Sequence, residues 1–356
     1  MATPYHRLAR EHPDHEWWKL PVAGLIGAFG YVLAAAALTV GALLVLVIAS
    51  GGDGDEIERW IDDLGAGLMS SPWELGFSLL LIALMLPAVL LSVLATGPRP
   101  VGYLSSVEGR LRWGWLAQVG AVALVLYAAA ILGGLALGLG GELDAPSLAD
   151  DAWIYFAVAL LVTPLQATAE EYVFRGYLFQ LVGSWTRWAV VPVLVSTPLF
   201  VAGHLYEFWG LVDVTIFALT ASWLVIRTGG LEAAIAAHVA NNLVLFTLES
   251  FNTVGVTSEE YGVLDVLPTL VTSIVFVLLV EVMARARGLQ RTRPPMPPKP
   301  PPPPPPTWAP GYVYPYPYPY PPAYHPYPQQ PGHAYPVASP QPYPLPPPPP
   351  QEASHD

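Results

Sequence analysis

The chain has 356 residues, 53% of them hydrophobic and only 12% charged, too little charge to coat a soluble globule of this size. A formal net charge of −12 excludes a general nucleic-acid binder, and the absence of cysteine excludes disulfides, thiolate metal sites and cysteine nucleophiles. Of the 41 prolines, 29 lie beyond residue 293, so an apolar body is joined to a proline-rich tail.

Residues 1–20 are polar, carry acids as well as bases, and read as a cytoplasmic segment with no cleaved signal peptide. Apolar runs long enough for membrane helices follow at 21–49, 75–96, 115–139, 152–168, 188–202, 211–226, 231–248 and 263–284. The runs are continuous rather than alternating, which favours helices over barrel strands. The expected fold is therefore all-α: a polytopic bundle of about eight transmembrane helices.

Charge fixes the expected orientation. The first run is preceded by Arg7, Arg10 and Lys19 and followed by Asp53, Asp55, Glu56, Glu58, Asp62 and Asp63. Arg99, Arg110 and Arg112 follow the second run, and Glu142, Asp144, Asp150 and Asp151 follow the third. Arg187, Arg227 and the group Arg285, Arg287, Arg291 and Arg293 mark the later even-numbered exits. This alternation predicts a multi-pass cell-membrane protein with both termini cytoplasmic.

Residues 99–114 read as an interfacial connector, with Trp113 and Trp115 at headgroup level. Five segments follow: 1–20 as the N-terminal segment, 21–151 as the first helices, 152–248 as a core, 249–293 as the last helix with its basic flank, and 294–356 as tail. Repeated proline in the tail predicts polyproline II or disorder, and half of the 18 tyrosines lie there. The tail reads either as a solvated spacer or as a docking site for a protein partner.

Three polar groups interrupt the apolar core. The first is Glu170-Glu171 with Arg175, the second Phe200 with His204, and the third His238 with Asn241 and Asn242. Ionisable residues inside a span are costly and mark a cavity or a pair. Glu171 and Arg175 are four apart and can meet on one helix face, whereas Glu170 is rotated by about 100° and is left to face a cavity. Phe200 and His204, and His238 and Asn242, share the same spacing. A turn at 183–187 would bring Glu170 and His204 level in a helical hairpin. By residue count from the turn at 227–228, however, His238 lies less deep than His204.

A buried carboxylate with two histidines and an amide suits hydrolysis: the carboxylate takes a proton from water, and imidazole and amide stabilise an oxyanion. The same set leaves zinc open, at Glu170, His204 and His238, although no HExxH helix occurs. Taken singly, each group also reads as structural: an ion-pair tie, a packing histidine, an amide that joins helices. Glu281 and Arg285 read as such a tie, and Glu207 and Asp213 as solvated.

Together, in this order, the three groups resemble the CPBP family of intramembrane proteases (CAAX proteases and bacteriocin-processing enzymes, also called the Abi family), whose pattern is EExxxR, FxxxH and HxxxN. The resemblance covers about residues 152–248. It implies an all-helical enzyme that hydrolyses peptide bonds of membrane-associated proteins or peptides within or beside the bilayer. Carried over by motif position, Glu170 is the base that activates water, Glu171 and Arg175 support it, His204 holds the water, and His238 and Asn242 form the oxyanion site. The family's eukaryotic members look glutamate-dependent, which implies no required cofactor. Two other readings of the chain are a non-proteolytic scaffold or bacteriocin-immunity protein that uses its tail, and a proton-coupled transporter.

Overall fold

The computed structural model describes residues 2–12, 15–65, 71–96, 100–139, 149–251 and 262–294. The tail from Pro295 onward, with its expected disorder, lies outside the described residues, as do Arg99, Glu142 and Asp144.

Eleven helices run in chain order through the described residues: α1 (Lys19–Ala49), α2 (Gly54–Gly65), α3 (Pro72–Ala83), α4 (Met85–Thr96), α5 (Trp113–Ala136), α6 (Ala152–Glu171), α7 (Leu178–Trp185), α8 (Val190–Val201), α9 (Phe208–Thr228), α10 (Glu232–Ser250) and α11 (Leu267–Ala286). Helices thus stand at all eight expected places, but among the described residues six spans are long and apolar enough to cross a membrane. This is a multi-pass membrane protein. Two of the eight expected spans fall short for different reasons. α8 has only 12 residues, and α10 carries Glu232, His238, Asn241, Asn242 and Glu249. α10 packs against α5, α6 and α9, so protein rather than lipid meets much of its surface.

Local sequence explains the boundaries. Ser71 caps α3 in a capping box with Glu74, and Pro72 occupies the first turn, where its missing N–H costs nothing. The expected second span starts earlier than its apolar run and is divided at Leu84 into α3 and α4. α2 falls on the acidic 53–63 stretch, which the apolar pattern left as a loop. The expected turn at 183–187 begins later, because Gly183–Trp185 still belong to α7.

The segments at the basic end are joined to one another. The N-terminal segment is no loose tail: a 3₁₀ helix at Tyr5–Glu11 buries Tyr5, His6, Leu8 and Ala9 against α7. Tyr5 Oη donates to the Leu104 carbonyl, and Arg10 Nη1 donates to the Ser184 carbonyl at 3.2 Å. His6 Nε2 lies 3.4 Å from the Arg187 carbonyl. A side chain at Gly183 would collide with the His6 carbonyl, so glycine is what admits this segment. A strand β1 (Thr3–Pro4) pairs antiparallel with β2 (Thr292–Arg293), which ties the start of the chain to the root of the tail.

Residues 100–112 also depart from expectation. Trp113 is 71% exposed, but Trp115 is fully buried in the core with Val119 and Ala123. The connector folds onto the turn between α9 and α10 through Ser106 and Gly230. Arg112 forms a two-pronged ion pair with Glu232: Nε to Oε1 at 2.9 Å and Nη2 to Oε2 at 2.6 Å. Arg112 Nη1 also donates to the carbonyls of Thr228 and Gln290. Its fork geometry satisfies both carboxylate oxygens where water does not reach.

Candidate active site

The site is built where α6 loses its regular winding. Ala152–Glu171 is α-helical, with Pro164 inside it, and Tyr172–Tyr177 forms a π-helical turn before α7 begins. A π turn widens the helix by one residue and recurs at functional sites, where it re-aims side chains and loosens backbone hydrogen bonds. Ser196 of α8 donates to the Phe174 carbonyl within this turn at 2.7 Å. Glu170 and Glu171 sit at its entry and Arg175 in its middle.

Arg175 Nη1 donates to Glu171 Oε1 at 3.0 Å, and both side chains are fully buried. The same carboxylate oxygen lies 2.9 Å from His238 Nδ1. On the far side of the ring, His238 Nε2 lies 3.2 Å from Glu170 Oε2. One imidazole therefore bridges the two adjacent carboxylates. The 100° rotation between neighbouring helix positions expected for the pair is what leaves room for a ring between them.

Gln166, one turn before Glu170, donates to Glu170 Oε2 at 3.1 Å and accepts from Asn242 Nδ2 at 3.2 Å. Asn242 also accepts from Asn241 at 3.1 Å. The sequence reading missed Gln166. The signal was present: a buried amide four residues from Glu170, in an otherwise apolar run.

Phe200 orders the remaining groups. The Arg175 guanidinium stacks over its ring at 4.1 Å, a cation–π contact. The His204 ring lies 4.8 Å away and the His238 ring 5.9 Å away, edge-on. Phe217 of α9 closes the pocket at 5.0 Å from His238.

His204 is not on a helix face, as its spacing from Phe200 suggested. α8 ends at Val201, and His204 stands just beyond it on a turn, with its Nδ1 2.9 Å from the Phe200 carbonyl. A carbonyl only accepts, so Nδ1 carries hydrogen and a neutral ring offers the lone pair of Nε2.

Zinc was left open at Glu170, His204 and His238. Glu170 and His238 are in contact, but no group of three His, Cys, Asp or Glu side chains among the described residues has an arrangement that could hold a metal ion. The residues as placed do not fit a three-ligand site. Asp213, expected in solvent, lies on α9 with its Oδ1 shielded and without a partner among the described residues, whereas Glu207 is exposed. Glu281 and Arg285 do pair, at 3.0 Å.

Residues 151–244 match the family model described as Type II CAAX prenyl endopeptidase Rce1-like. The chain is also similar to Uncharacterized protein YyaK of Bacillus subtilis (strain 168), with 32% identity over 100 residues. That alignment covers 26% of this chain and 33% of the relative, so the chain spans about a third of the length of the curated relative it matches. No solved structure matches. Glu170, Glu171, Arg175, His204, His238 and Asn242 all fall within the matched residues.

Proposed function

We propose that this protein is an intramembrane endopeptidase that hydrolyses peptide bonds of membrane-associated proteins or peptides, with Glu170 as the base. The observation that carries the reading is the bridge from Glu171 through His238 to Glu170. With a neutral imidazole, Glu170, Glu171, Arg175 and His238 sum to one negative charge; with an imidazolium they sum to zero. A net charge away from water is costly, which is why a guanidinium and an imidazole are packed against the two carboxylates. Glu170 Oε2 is then held by Gln166 and His238, and Oε1 has no protein partner among the described residues.

In this proposal a water donates one hydrogen to Glu170 Oε1 and the other to His204 Nε2. Glu170 takes the first proton as the water oxygen attacks the peptide carbonyl, and passes it to the leaving amine. His238 and Asn242 serve the developing oxyanion once the substrate carbonyl replaces the resting contacts to Glu170 and Gln166. Glu171 and Arg175 act by holding His238 in place. No metal takes part, so activity is expected to survive chelation. Both termini face the cytoplasm of the cell membrane in this reading, and the domain that does the chemistry spans 152–248.

The test compares protein termini in membranes of a deletion strain carrying the wild-type gene or Glu170→Ala at matched expression. New termini that depend on Glu170 are the expected result. Identical termini, with both proteins folded and inserted, would sink the proposal.

A further inference from the structure

At the basic end of the bundle, three arginines converge on a single carboxylate oxygen. Arg227 closes α9, Glu281 and Arg285 lie on the last turns of α11, and Arg291 stands in the flank before β2. Glu281 Oε1 accepts from Arg227 Nη2, from Arg285 Nη2 at 3.0 Å and from Arg291 Nη1 at 3.2 Å.

One negative charge faces three positive ones, an excess of two. The C-terminal ends of α9 and α11 each supply about half a negative charge, which leaves roughly one positive charge unanswered. Two donors are also unspent. Arg227 Nε and Arg291 Nη2 are shielded from solvent and have no acceptor among the described residues. Dry, unpaired guanidinium donors cost energy unless an acceptor reaches them. A cluster built only as a tie between helices would not need the third arginine.

The surroundings say where such an anion comes from. Trp223, one turn before Arg227, is 53% exposed, and the Arg227 guanidinium lies 5.8 Å from its ring centre. On the Arg285 side of α11, Leu278 and Val282 are exposed apolar residues. The cluster sits where the lipid-facing surface of α9 and α11 ends. Arg285, itself 70% exposed, leaves the approach open.

We infer that Arg227, Arg285 and Arg291 bind the phosphate of an anionic phospholipid, whose acyl chains lie along Trp223, Leu278 and Val282. The guanidinium forks match phosphate oxygens, and aromatic and apolar residues beside them suit the rest of a lipid. This site stands apart from the proposed catalytic groups and does not depend on their role.

The test uses the full chain in nanodiscs containing phosphatidylglycerol and phosphatidylcholine, with retained lipids counted by native mass spectrometry. Wild type is expected to retain phosphatidylglycerol over phosphatidylcholine by about fivefold or more, the scale of one uncompensated positive charge at a membrane surface. Arg285→Gln/Arg291→Gln should bring that ratio close to one, and the milder Arg285→Gln, on an exposed side chain, should lower it by about half. Arg110→Gln, an exposed arginine on the connector, should leave it unchanged. Glu281→Gln is the decisive variant: it removes the competing carboxylate and should raise retention. Lower retention in folded Glu281→Gln, or an unchanged ratio in the double variant, overturns the inference and leaves a structural ion cluster. Displacement of the lipid by millimolar inorganic phosphate overturns the assignment to a phospholipid.

Discussion

Glu171→Gln isolates the energetics of the buried network. In the wild type, Glu171 Oε1 accepts from Arg175 at 3.0 Å and lies 2.9 Å from His238, with both Glu171 and Arg175 fully out of solvent. The variant leaves the guanidinium without its contacting counter-ion, and arginine cannot escape by losing its proton. The stack on Phe200 is present before and after, so it offsets nothing. Removing one member of a buried pair costs about 3–5 kcal/mol. For a chain of this size that corresponds to a fall in Tm of about 6–10 °C.

Arg175→Met should cost less, about 2 kcal/mol, because the carboxylate left behind can take up a proton and become neutral. Glu171→Gln/Arg175→Met removes both charges, so its loss should fall short of the sum of the single losses by about 2 kcal/mol or more. The readout is thermal unfolding in detergent followed by tryptophan fluorescence. Additive losses, or a Glu171→Gln shift under about 2 °C, would refute the reasoning.

Glu232→Gln should destabilise by about 3–5 kcal/mol, since it strands the Arg112 guanidinium in the interior, and the loss should shrink in Arg112→Met/Glu232→Gln when both are measured by the same unfolding assay. His6 is held below the usual histidine range, chiefly by burial and with a smaller push from Arg7, while its contact with the Arg187 carbonyl works in the opposite sense. The unfolded imidazole binds a proton that the folded one refuses, so stability is full above the unfolded value of about 6.5 and falls as pH drops below it. Melting curves across that range should show the slope, and His6→Gln should flatten it. Trp115→Ala should cost about 3–5 kcal/mol as a core truncation, whereas Trp113→Ala on the exposed surface should stay within about 1 kcal/mol, both read as shifts in Tm.

Much of the site was legible because its parts are local. Glu171 with Arg175 and His238 with Asn242 are spaced by one helical turn, and a polar residue in an apolar run stands out by cost alone. What the sequence hides is what turns on the third dimension. The bridge from His238 to both carboxylates joins residues 67 and 68 positions apart, and nothing local to either segment encodes it. The π turn at Tyr172–Tyr177 has no composition mark, since its residues would equally continue an α-helix. His204 was assigned to a helix face because i,i+4 spacing does not distinguish a helix from a turn that folds back on its last carbonyl. Trp115 was assigned to the interface by residue type, but its neighbours in α5 and the core decided its place. Two of the eight expected spans, α8 and α10, are not among the six that are long and apolar enough among the described residues; at α10, apolar residues suggested lipid contact while Glu232 and Glu249 pointed to burial in protein.

α10 also explains how so polar a centre is kept in register. Residues 232–238 are all buried, so this stretch of the helix presents no lipid-facing stripe that would set its rotation. Packing of small residues alone, with alanine at 233, 234, 236 and 237, would fix it weakly. Two charged anchors do the rest. Glu232 is gripped by the Arg112 fork at the basic end, and His238 is gripped by Glu170 and Glu171 six residues on, about 9 Å up the helix axis. Two fixed points remove both rotation and sliding, so Asn242, one turn further, can only arrive beside Gln166. On this account the Arg112–Glu232 pair is a positioning device for the proposed active site, although neither residue touches it. Loosening the pair should misplace His238 before it disrupts the rest of the bundle, because α6 also packs on α3, and its π turn on α4, α7, α8 and α9.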